Sequence, residues 1–238
     1  MIKRIIVFLI LATIGYFLVG VVSQIPFGED RNNVGDYYIE KTPTELKVSN
    51  AVTAIVVNYR GFDTLGEVTV LFLAATGLSS IMYRRRRKGE KQIRAKLPSS
   101  RIIQIGSQIL FPLIVLLGAY VFIHGHLSPG GGFQGGAIIA TATLLMLISY
   151  RKFKVNHNVI SWIESIAGVV FVTVGFVGLI LGMTFLENFL PTGELNDLLS
   201  GGIIGIIYVA VGFKVASELA GVIDTVLLNN RPEAKNEN

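Results

Sequence analysis

The sequence predicts an all-α, polytopic membrane protein with about six transmembrane helices and both termini in the cytoplasm. Composition and hydropathy indicate this class: 51% of the 238 residues are hydrophobic, only 16% are charged, and the mean hydropathy is +0.59. A soluble domain carries about 25% charged residues, which argues against a water-soluble enzyme. The chain has no cysteine, and this excludes disulfides, a cysteine nucleophile and iron–sulfur clusters bound by this chain.

Six apolar stretches are long enough to cross a bilayer, which takes roughly 20 helical residues. They are Ile5–Val22, Leu65–Tyr83, Ile102–Ile123, Phe133–Tyr150, Val159–Leu186 and Ile203–Leu228. The apolar run Ala51–Asn58 is too short to span and is expected to form a re-entrant or interfacial helix. The first stretch has the basic start of a signal peptide, but it is longer than the usual 7–15 residues and no small-x-small cleavage site follows it. A retained anchor is therefore favoured.

The distribution of lysine and arginine predicts the orientation of the chain. With six spans, sixteen basic residues fall on one side of the membrane and three on the other, which also holds eight acidic residues. The basic side is predicted to be the cytoplasm, and the protein is predicted to be a multi-pass protein of the cell membrane. The run Arg84–Lys88 is interpreted as a stop signal that faces anionic lipid, in preference to a nucleic-acid site.

The same basic segment predicts the domain organisation. Residues 1–83 form a module with two spans, and residues 84–101 form a cytoplasmic linker. Residues 102–230 form a module of four spans with short connections, as a compact helix bundle has. Residues 231–238 form a polar tail.

Ionisable side chains inside a bilayer are costly, so those within the apolar stretches are candidate functional residues. Seven remain once the loops are set aside: Arg60, Asp63, Glu67, Glu164, Lys214, Glu218 and Asp224. Lys214 lies near the middle of the sixth stretch, and Glu218 follows one turn later on the same face. This pair is either a proton-exchanging element or a static ion pair. For Asp224 and Glu218, in the last cytoplasmic turns, a snorkelling or capping role is also open.

Glu164 shares one predicted helix face with Gly168, Gly175, Gly178 and Gly182. A stripe of glycines allows another helix to approach closely, so this face is expected to pack against protein. Glu164 is therefore expected to point toward protein or water, where it either exchanges a proton or makes a structural hydrogen bond.

Glu67 lies at the start of the second span. In a continuous helix, Arg60, Asp63 and Glu67 would share a face, and Arg60 and Asp63 would form an exposed pair at the interface. Gly61 and Gly66 favour a break instead, and breaks at membrane depth occur where protein or a water-filled cavity satisfies the backbone. A carboxylate beside exposed carbonyls is a candidate site for a hydrated cation or a proton.

The segment His124–Gly136 reads HGHLSPGGGFQGG. It formally contains a dinucleotide-binding fingerprint, but no strand precedes it and no βαβ unit surrounds it, so nucleotide binding is rejected. A tight extracellular turn is expected, in which glycines permit positive φ and close backbone approach. These are Gly130, Gly131, Gly132, Gly135 and Gly136. His124 and His126 are candidates for a proton relay or hydrogen bonding, and no metal site is predicted.

The run from His126 to Gly136, between two apolar helices, resembles the B-type component of the multisubunit Mrp-type sodium/proton antiporters. The same domain occurs in archaeal membrane-bound hydrogenases and related ion-pumping respiratory complexes, and the resemblance covers roughly Ile102–Leu228. The segment from Val56 to Thr69, VVNYRGFDTLGEVT, is similar to the C-terminal end of the antiporter A subunit. In hydrogenase-type complexes that piece is a separate small subunit, so the chain resembles a fusion of two neighbours.

The resemblance implies a non-enzymatic subunit of a large membrane assembly that exchanges cations for protons. It implies partners among the other antiporter-module subunits, with hydrogenase or ferredoxin-linked subunits as a further expectation, and no cofactor in this chain beyond the transported sodium ions and protons. The family's glutamate in its Gly-Glu-Val-Thr stretch corresponds to Glu67. The predicted ion path comprises Glu67, Glu164, Lys214, Asp63, Glu218, His124 and His126. The alternative is a purely structural or assembly subunit without ion-transfer residues.

Overall fold

The computed structural model describes residues 2–24, 34–87, 99–150, 153–181 and 183–229. The helices in these ranges are α1 (Ile2–Val22), α2 (Val34–Lys41), α3 (Ala51–Ala54), α4 (Gly61–Arg87), α5 (Arg101–Ile123), α6 (Gly132–Ser149), α7 (His157–Ile180) and α8 (Ile203–Asn229). No strand occurs in the described part of the chain. Most of the predicted linker and the whole tail, residues 88–98 and 231–238, lie outside the described residues.

Six of the described helices are long and apolar enough to cross a membrane: α1, α4, α5, α6, α7 and α8. The predicted all-α, polytopic class with six spans is therefore confirmed. The orientation of the termini and the division into two modules stay predictions. By its contacts the chain separates into two compact units, residues 1–37 and 38–238.

The first unit consists mainly of α1, a 21-residue helix with no buried residue in its apolar window. Its large hydrophobic side chains are exposed all around the helix. A helix of this kind is stable in hydrocarbon, where every backbone group is satisfied within the helix.

In the second unit, α8 is the central helix. About two thirds of its apolar window is buried, more than in any other described span, and it packs against α4, α5, α6 and α7. Side-chain caps fix the starts of the neighbouring helices, because a polar side chain satisfies backbone N–H groups that have no helical partner. The Ser100 hydroxyl accepts from Ile103 N–H at the start of α5, and Asn156 Oδ1 accepts from Asn158 and Val159 N–H at the start of α7.

Glycines bring α6 into backbone contact with its two neighbours. A Cβ on Gly135 would lie 2.5 Å from Gly118 O of α5, and a Cβ on Gly136 would lie 2.7 Å from Gly212 O of α8. Small residues at such crossings let helices pack at close range in a membrane. The close approach expected of these glycines is therefore present. The expected positive φ is not, because Gly130, Gly131, Gly132, Gly135 and Gly136 have no φ in the left-handed region.

The segment from Thr42 to Tyr59 forms a broken helix that lies within the second unit. Two π-helical turns, Thr42–Leu46 and Ile55–Tyr59, flank the short α3. Val48, Ala54 and Val57 are buried in the hydrophobic core. The run Ala51–Asn58 is thus too short to span, as predicted, and is packed against protein.

The break before the second span is at Arg60 and not at Gly66. Arg60 has φ −130° and ψ 39°, after which α4 runs without interruption from Gly61 through Gly66. A Cβ on Gly61 would lie 2.9 Å from Leu186 Cδ1, so the close approach of Leu186 accounts for a glycine there. Nothing lies within 4 Å of a Cβ built on Gly66, which explains why that glycine causes no break.

The fifth span ends at Ile180, earlier than the predicted Leu186. After Leu181 the chain folds back on α7: Leu186 has φ 67°, its N–H donates to Gly175 O at 3.4 Å, and the Phe185 ring lies against Gly175. Gly175 and Gly178 are therefore covered by this turn, and not by a neighbouring helix as predicted. Gly182 lies outside the described residues.

We predict that Gly136→Ala lowers the free energy of unfolding by about 1–3 kcal/mol, the usual cost of overpacking a tight contact. The added methyl would meet the Gly212 carbonyl and Val215, and a backbone carbonyl cannot move aside as a flexible side chain does. The measurement is thermal unfolding of the detergent-solubilised protein. Gly205→Ala is the matched control, since nothing lies within 4 Å of its Cβ position. Equal stability of the two variants would contradict this account.

Candidate functional site

A cluster of three charged side chains lies between α7 and α8. Lys214 Nζ donates to Glu218 Oε1 at 2.7 Å and lies 3.7 Å from Glu164 Oε1. Lys214 is the twelfth residue of α8, about 16 Å from its start at 1.5 Å per residue, which places it near the middle of the span. The ammonium is thus held between two carboxylates at the depth where an unpaired charge would be most costly.

The cluster is largely withdrawn from the surface of the chain. The side-chain exposure is 1% for Glu218, 14% for Lys214 and 23% for Glu164. The Phe72 ring of α4 covers the ammonium, with Nζ 5.3 Å from the ring centroid, a distance at which the ring face attracts a cation. Gly168 gives the lysine stem room, because a Cβ there would lie 3.9 Å from Lys214 Cδ.

Glu218 retains an unused acceptor. Its Oε2 is buried and has no hydrogen-bond partner among the described residues. An ionised carboxylate in such a position is fully satisfied only with further donors, such as water or a protonated group. The expected snorkelling of Glu218 toward solvent is therefore wrong: its side chain is buried and pairs with Lys214.

A cavity of about 320 Å³ lies beside the cluster, between α4, α7 and α8. At the ~30 Å³ that a water molecule occupies in the liquid, it has room for about ten waters. Its lining residues are Phe72, Ala75, Thr76, Ser79, His157, Ile160, Ser161, Glu164, Ser217, Glu218, Gly221, Val222 and Thr225. Hydroxyl and carboxylate groups form part of this wall, which is the kind of surface that holds water inside a membrane protein.

The end of the cavity away from Lys214 holds a second charged pair, which the sequence analysis missed. His157, the first residue of α7, contacts Asp224 of α8 with 2.9 Å between Nε2 and Oδ2. Asp224 is buried rather than snorkelling as expected. The signal in the sequence was the seven-residue spacing between His157 and Glu164, which is two helical turns on one face.

Asp63 and Glu67 do not join the cluster. Arg60 and Asp63 form an exposed pair with 2.5 Å between Nη2 and Oδ2, as expected from their spacing. Glu67 is exposed on the next turn of α4, and no ion pair or hydrogen bond joins its carboxylate to another described side chain. It precedes Phe72 by about 7.5 Å of helix rise, on the opposite side of the cluster from His157.

The glycine loop is held by the broken helix. Asn50 Nδ2 donates to the carbonyls of Gly125 and Ser128 at 2.9 and 3.0 Å, while its Oδ1 caps α3. The Thr53 hydroxyl donates to Gly125 O at 2.5 Å and accepts from the Tyr208 hydroxyl at 2.9 Å. These bonds tie the loop between α5 and α6 to residues of the other predicted module.

The two loop histidines have different surroundings. His124 is part-exposed, stacks on Tyr120 with 4.2 Å between ring centroids, and has its Nδ1 3.2 Å from Tyr120 O. His126 is buried, and neither ring nitrogen has a hydrogen-bond partner among the described residues. It lines an apolar cavity of about 840 Å³ beside α7 and α8. Neither histidine joins the Lys214 cluster.

Burial lowers the pKa of His126 below its ordinary value of 6.5, because an apolar environment disfavours the charged imidazolium. The backbone carbonyls of Asp197 and Leu198, which lie near the ring without forming a hydrogen bond, oppose this shift only in part. His126 is therefore neutral at neutral pH.

Comparison with known proteins gives matches along nearly the whole chain. Residues 102–221 match the family described as a domain related to the MnhB subunit of Na+/H+ antiporters, and residues 3–99 match the family of the E-type component of MBH, MbhE. A protein of Methanocaldococcus jannaschii, described as uncharacterised, is 27% identical over 200 residues, 74% of this chain and 76% of its own length.

Two solved membrane complexes contain similar chains. One is the membrane-bound sulfane sulfur reductase, an archaeal respiratory membrane complex: its chain is 43% identical, with a TM-score of 0.79, over 95% of this chain and 99% of its own length. The other is the Mrp complex of Dietzia sp. DQ12-45-1b. Its chain is 23% identical with a TM-score of 0.74, over 99% of this chain and 27% of its own length, and this likeness shows the fold alone.

The six spans and these matches define a class, the multi-pass membrane subunits related to cation/proton antiporters. The chain belongs to the family that carries the MnhB-related domain, joined here to a segment that matches MbhE of MBH. The resemblance on which the sequence analysis relied is therefore confirmed, and so is the multi-pass membrane location.

We predict that Asn50→Ala destabilises the protein by about 2 kcal/mol, because it removes a helix cap and two hydrogen bonds to loop carbonyls, each worth about 1 kcal/mol. The measurement is thermal unfolding in detergent, together with the rate of proteolysis within residues 124–131. Asn158→Ala is the control, since that side chain is exposed at the start of α7. An unchanged proteolysis rate in the Asn50 variant would show that the loop does not depend on this residue.

We predict that stability falls at acid pH because of His126. The unfolded chain binds a proton near the ordinary pKa of 6.5, whereas the folded chain binds it only at lower pH, so the contribution of a neutral His126 is fully present above about 6.5 and is lost as the pH falls toward the folded pKa. In thermal unfolding between pH 8 and 5, His126→Leu should lose less stability than the wild type. Parallel losses in the two proteins would contradict this prediction.

Proposed function

We propose that the chain is a non-enzymatic membrane subunit of a multisubunit cation/proton antiporter module and contributes part of a hydrated proton path. The observation that carries this proposal is Lys214, whose ammonium lies between Glu218 and Glu164 near the middle of the span, beside a cavity with room for water. A group of one base and two acids at this depth can take up and release protons without leaving an isolated charge in the membrane.

The proton step proposed here moves one proton between Lys214 and a carboxylate. When the ammonium transfers a proton to Glu218, the pair becomes a neutral amine and a neutral acid, which a low-dielectric site tolerates well. The unused Oε2 of Glu218 then offers a contact to cavity water. Glu164 is the second carboxylate that balances the lysine when Glu218 is protonated.

The remaining candidate residues are proposed to serve the outer part of the path. Glu67 and Asp63 lie in the first turns of α4, and Glu67 carries an exposed carboxylate on a span. A carboxylate in that position must face a partner protein or water and not lipid, so Glu67 is proposed to meet the transported cation at the boundary with a neighbouring chain. His124 and His126 are proposed to act at the outer mouth, which the glycine loop shapes.

The partners in this proposal are the other membrane subunits of the module. Both solved neighbours are parts of multisubunit membrane complexes, and the extensive exposed apolar surface of α1, α4, α5 and α7 offers faces for further helices. A redox module of the sulfane sulfur reductase or hydrogenase kind, linked through ferredoxin, is proposed to drive the exchange. Sodium is the proposed cation, and both termini are proposed to lie in the cytoplasm, where the basic residues concentrate.

A second candidate function is assembly alone. Lys214 and Glu218 form a close, buried ion pair, and such a pair can fix the register of two helices without exchanging protons. Under this alternative, neutral substitutions in the cluster would reduce the amount of assembled complex and leave the exchange rate per complex unchanged.

We predict that Glu218→Gln leaves the complex assembled but reduces cation-driven proton movement at least ten-fold, because the amide still accepts from Lys214 but cannot carry a proton. The measurement is the decay of a pH gradient in inside-out membrane vesicles after addition of sodium, normalised to the amount of complex. Glu194→Gln, the same change in an exposed loop, should exchange at the wild-type rate.

A wild-type exchange rate in Glu218→Gln, with the complex assembled, would rule out the relay. Loss of complex together with an unchanged rate per complex would support assembly alone. Lys214→Met should abolish exchange as well, because it removes the only basic member of the cluster.

A further inference from the structure

We propose that His157, held by Asp224, is the port through which protons pass between the Lys214 cavity and the aqueous phase on the basic side of the membrane. This inference rests on the proposed function, since it gives the proton path its connection to solvent. It assigns a role to a pair of residues that lies outside the charged cluster on α7 and α8.

The pair joins an exposed group to a buried one. The side chain of His157 is 55% exposed, whereas that of Asp224 is 2% exposed, with Nε2 and Oδ2 2.9 Å apart. Asp224 Oδ1 has no hydrogen-bond partner among the described residues, so the histidine ring is the contact that compensates this buried carboxylate. Asp224 in turn orients the ring, as a carboxylate commonly does for a functional imidazole.

His157 also lines the cavity that reaches the cluster. The ring shares the cavity wall with Glu164 and Glu218. His157 precedes Glu164 by seven residues, about 10.5 Å along α7, and Asp224 follows Glu218 by six residues, about 9 Å along α8. A few water molecules would bridge such a distance, so the ring can exchange protons with both solvent and cavity.

The charged groups around the ring leave histidine as the one suited to this exchange near neutral pH. Asp224, Glu218 and Lys214 face the cavity region from α8, and Glu164 faces it from α7. The described cavity residues of α4 are Phe72, Ala75, Thr76 and Ser79, none of which is ionisable. An unperturbed histidine is the side chain whose charge changes between pH 5 and 8.

The proposed step balances with one proton. With Nε2–H donated to Asp224, Nδ1 is the free acceptor of the neutral ring and takes a proton from solvent to give the imidazolium, which Asp224 stabilises. Release of one proton to cavity water restores the neutral ring, and no other bond changes. The reverse sequence carries a proton outward.

The test uses inside-out vesicles that contain the complete complex and measures sodium-driven proton movement between pH 6 and 8.5. His157→Gln keeps an N–H donor for Asp224 but does not titrate, and we expect its rate to fall at least ten-fold and to lose the dependence on pH in the range where imidazole titrates. His157→Ala should be equally slow in weak buffer and should recover several-fold when imidazole is added to the medium, because free imidazole can replace the missing ring. Lys154→Gln, an exposed change in the same turn, is the control.

Three results would overturn the inference: a wild-type rate in both His157 variants, an unchanged pH profile in His157→Gln, or a slow His157→Ala that imidazole does not restore. The rescue is read in the same vesicles before and after addition, so the amount of complex does not affect it. The proposed function is tested separately by Glu218→Gln. If that variant is slow while the His157 variants are not, the path stands and its port lies elsewhere.

Discussion

The pairing of a central lysine with two carboxylates is the interaction on which the rest of the structure depends. A span that carries Lys214 near its middle is stable only when that charge has partners, and Glu218 and Glu164 supply them from α8 and α7. The position of α8 in the centre of the second unit follows from this need. An apolar span of the same length could face lipid, whereas this one has to be surrounded by protein.

The supporting architecture keeps the cluster in place through backbone contacts. Glycines at the crossings of α6 with α5 and α8 remove the side chains that would separate the helices. The broken helix from Thr42 to Tyr59 satisfies the polar groups of the loop between α5 and α6, so that this loop can lie against the helix ends without unpaired carbonyls at Gly125 and Ser128. Packing and hydrogen bonding therefore act at opposite ends of α6.

Much of this could be predicted from the sequence, because hydropathy and the spacing of charges are local signals. The six spans and the Lys214–Glu218 pair follow from them, and Glu164 was expected to face protein. The end of α7, the continuity of α4 through Gly66 and the His157–Asp224 pair could not be predicted in this way. Each depends on a contact between residues far apart in the chain: Phe185 on Gly175, Leu186 on Gly61, and α7 on α8.

The contact of Gly136 with Gly212 has a consequence for the kind of transport that the second unit can support. Lys214 lies two residues beyond Gly212, so α8 could not rotate or slide by even a fraction of a turn without driving its carbonyl into α6. Rocking of this helix between inward-open and outward-open states is therefore sterically blocked. Charge has to travel past Lys214 by proton hops along a stationary wire, and any large rearrangement in the exchange cycle belongs to neighbouring subunits.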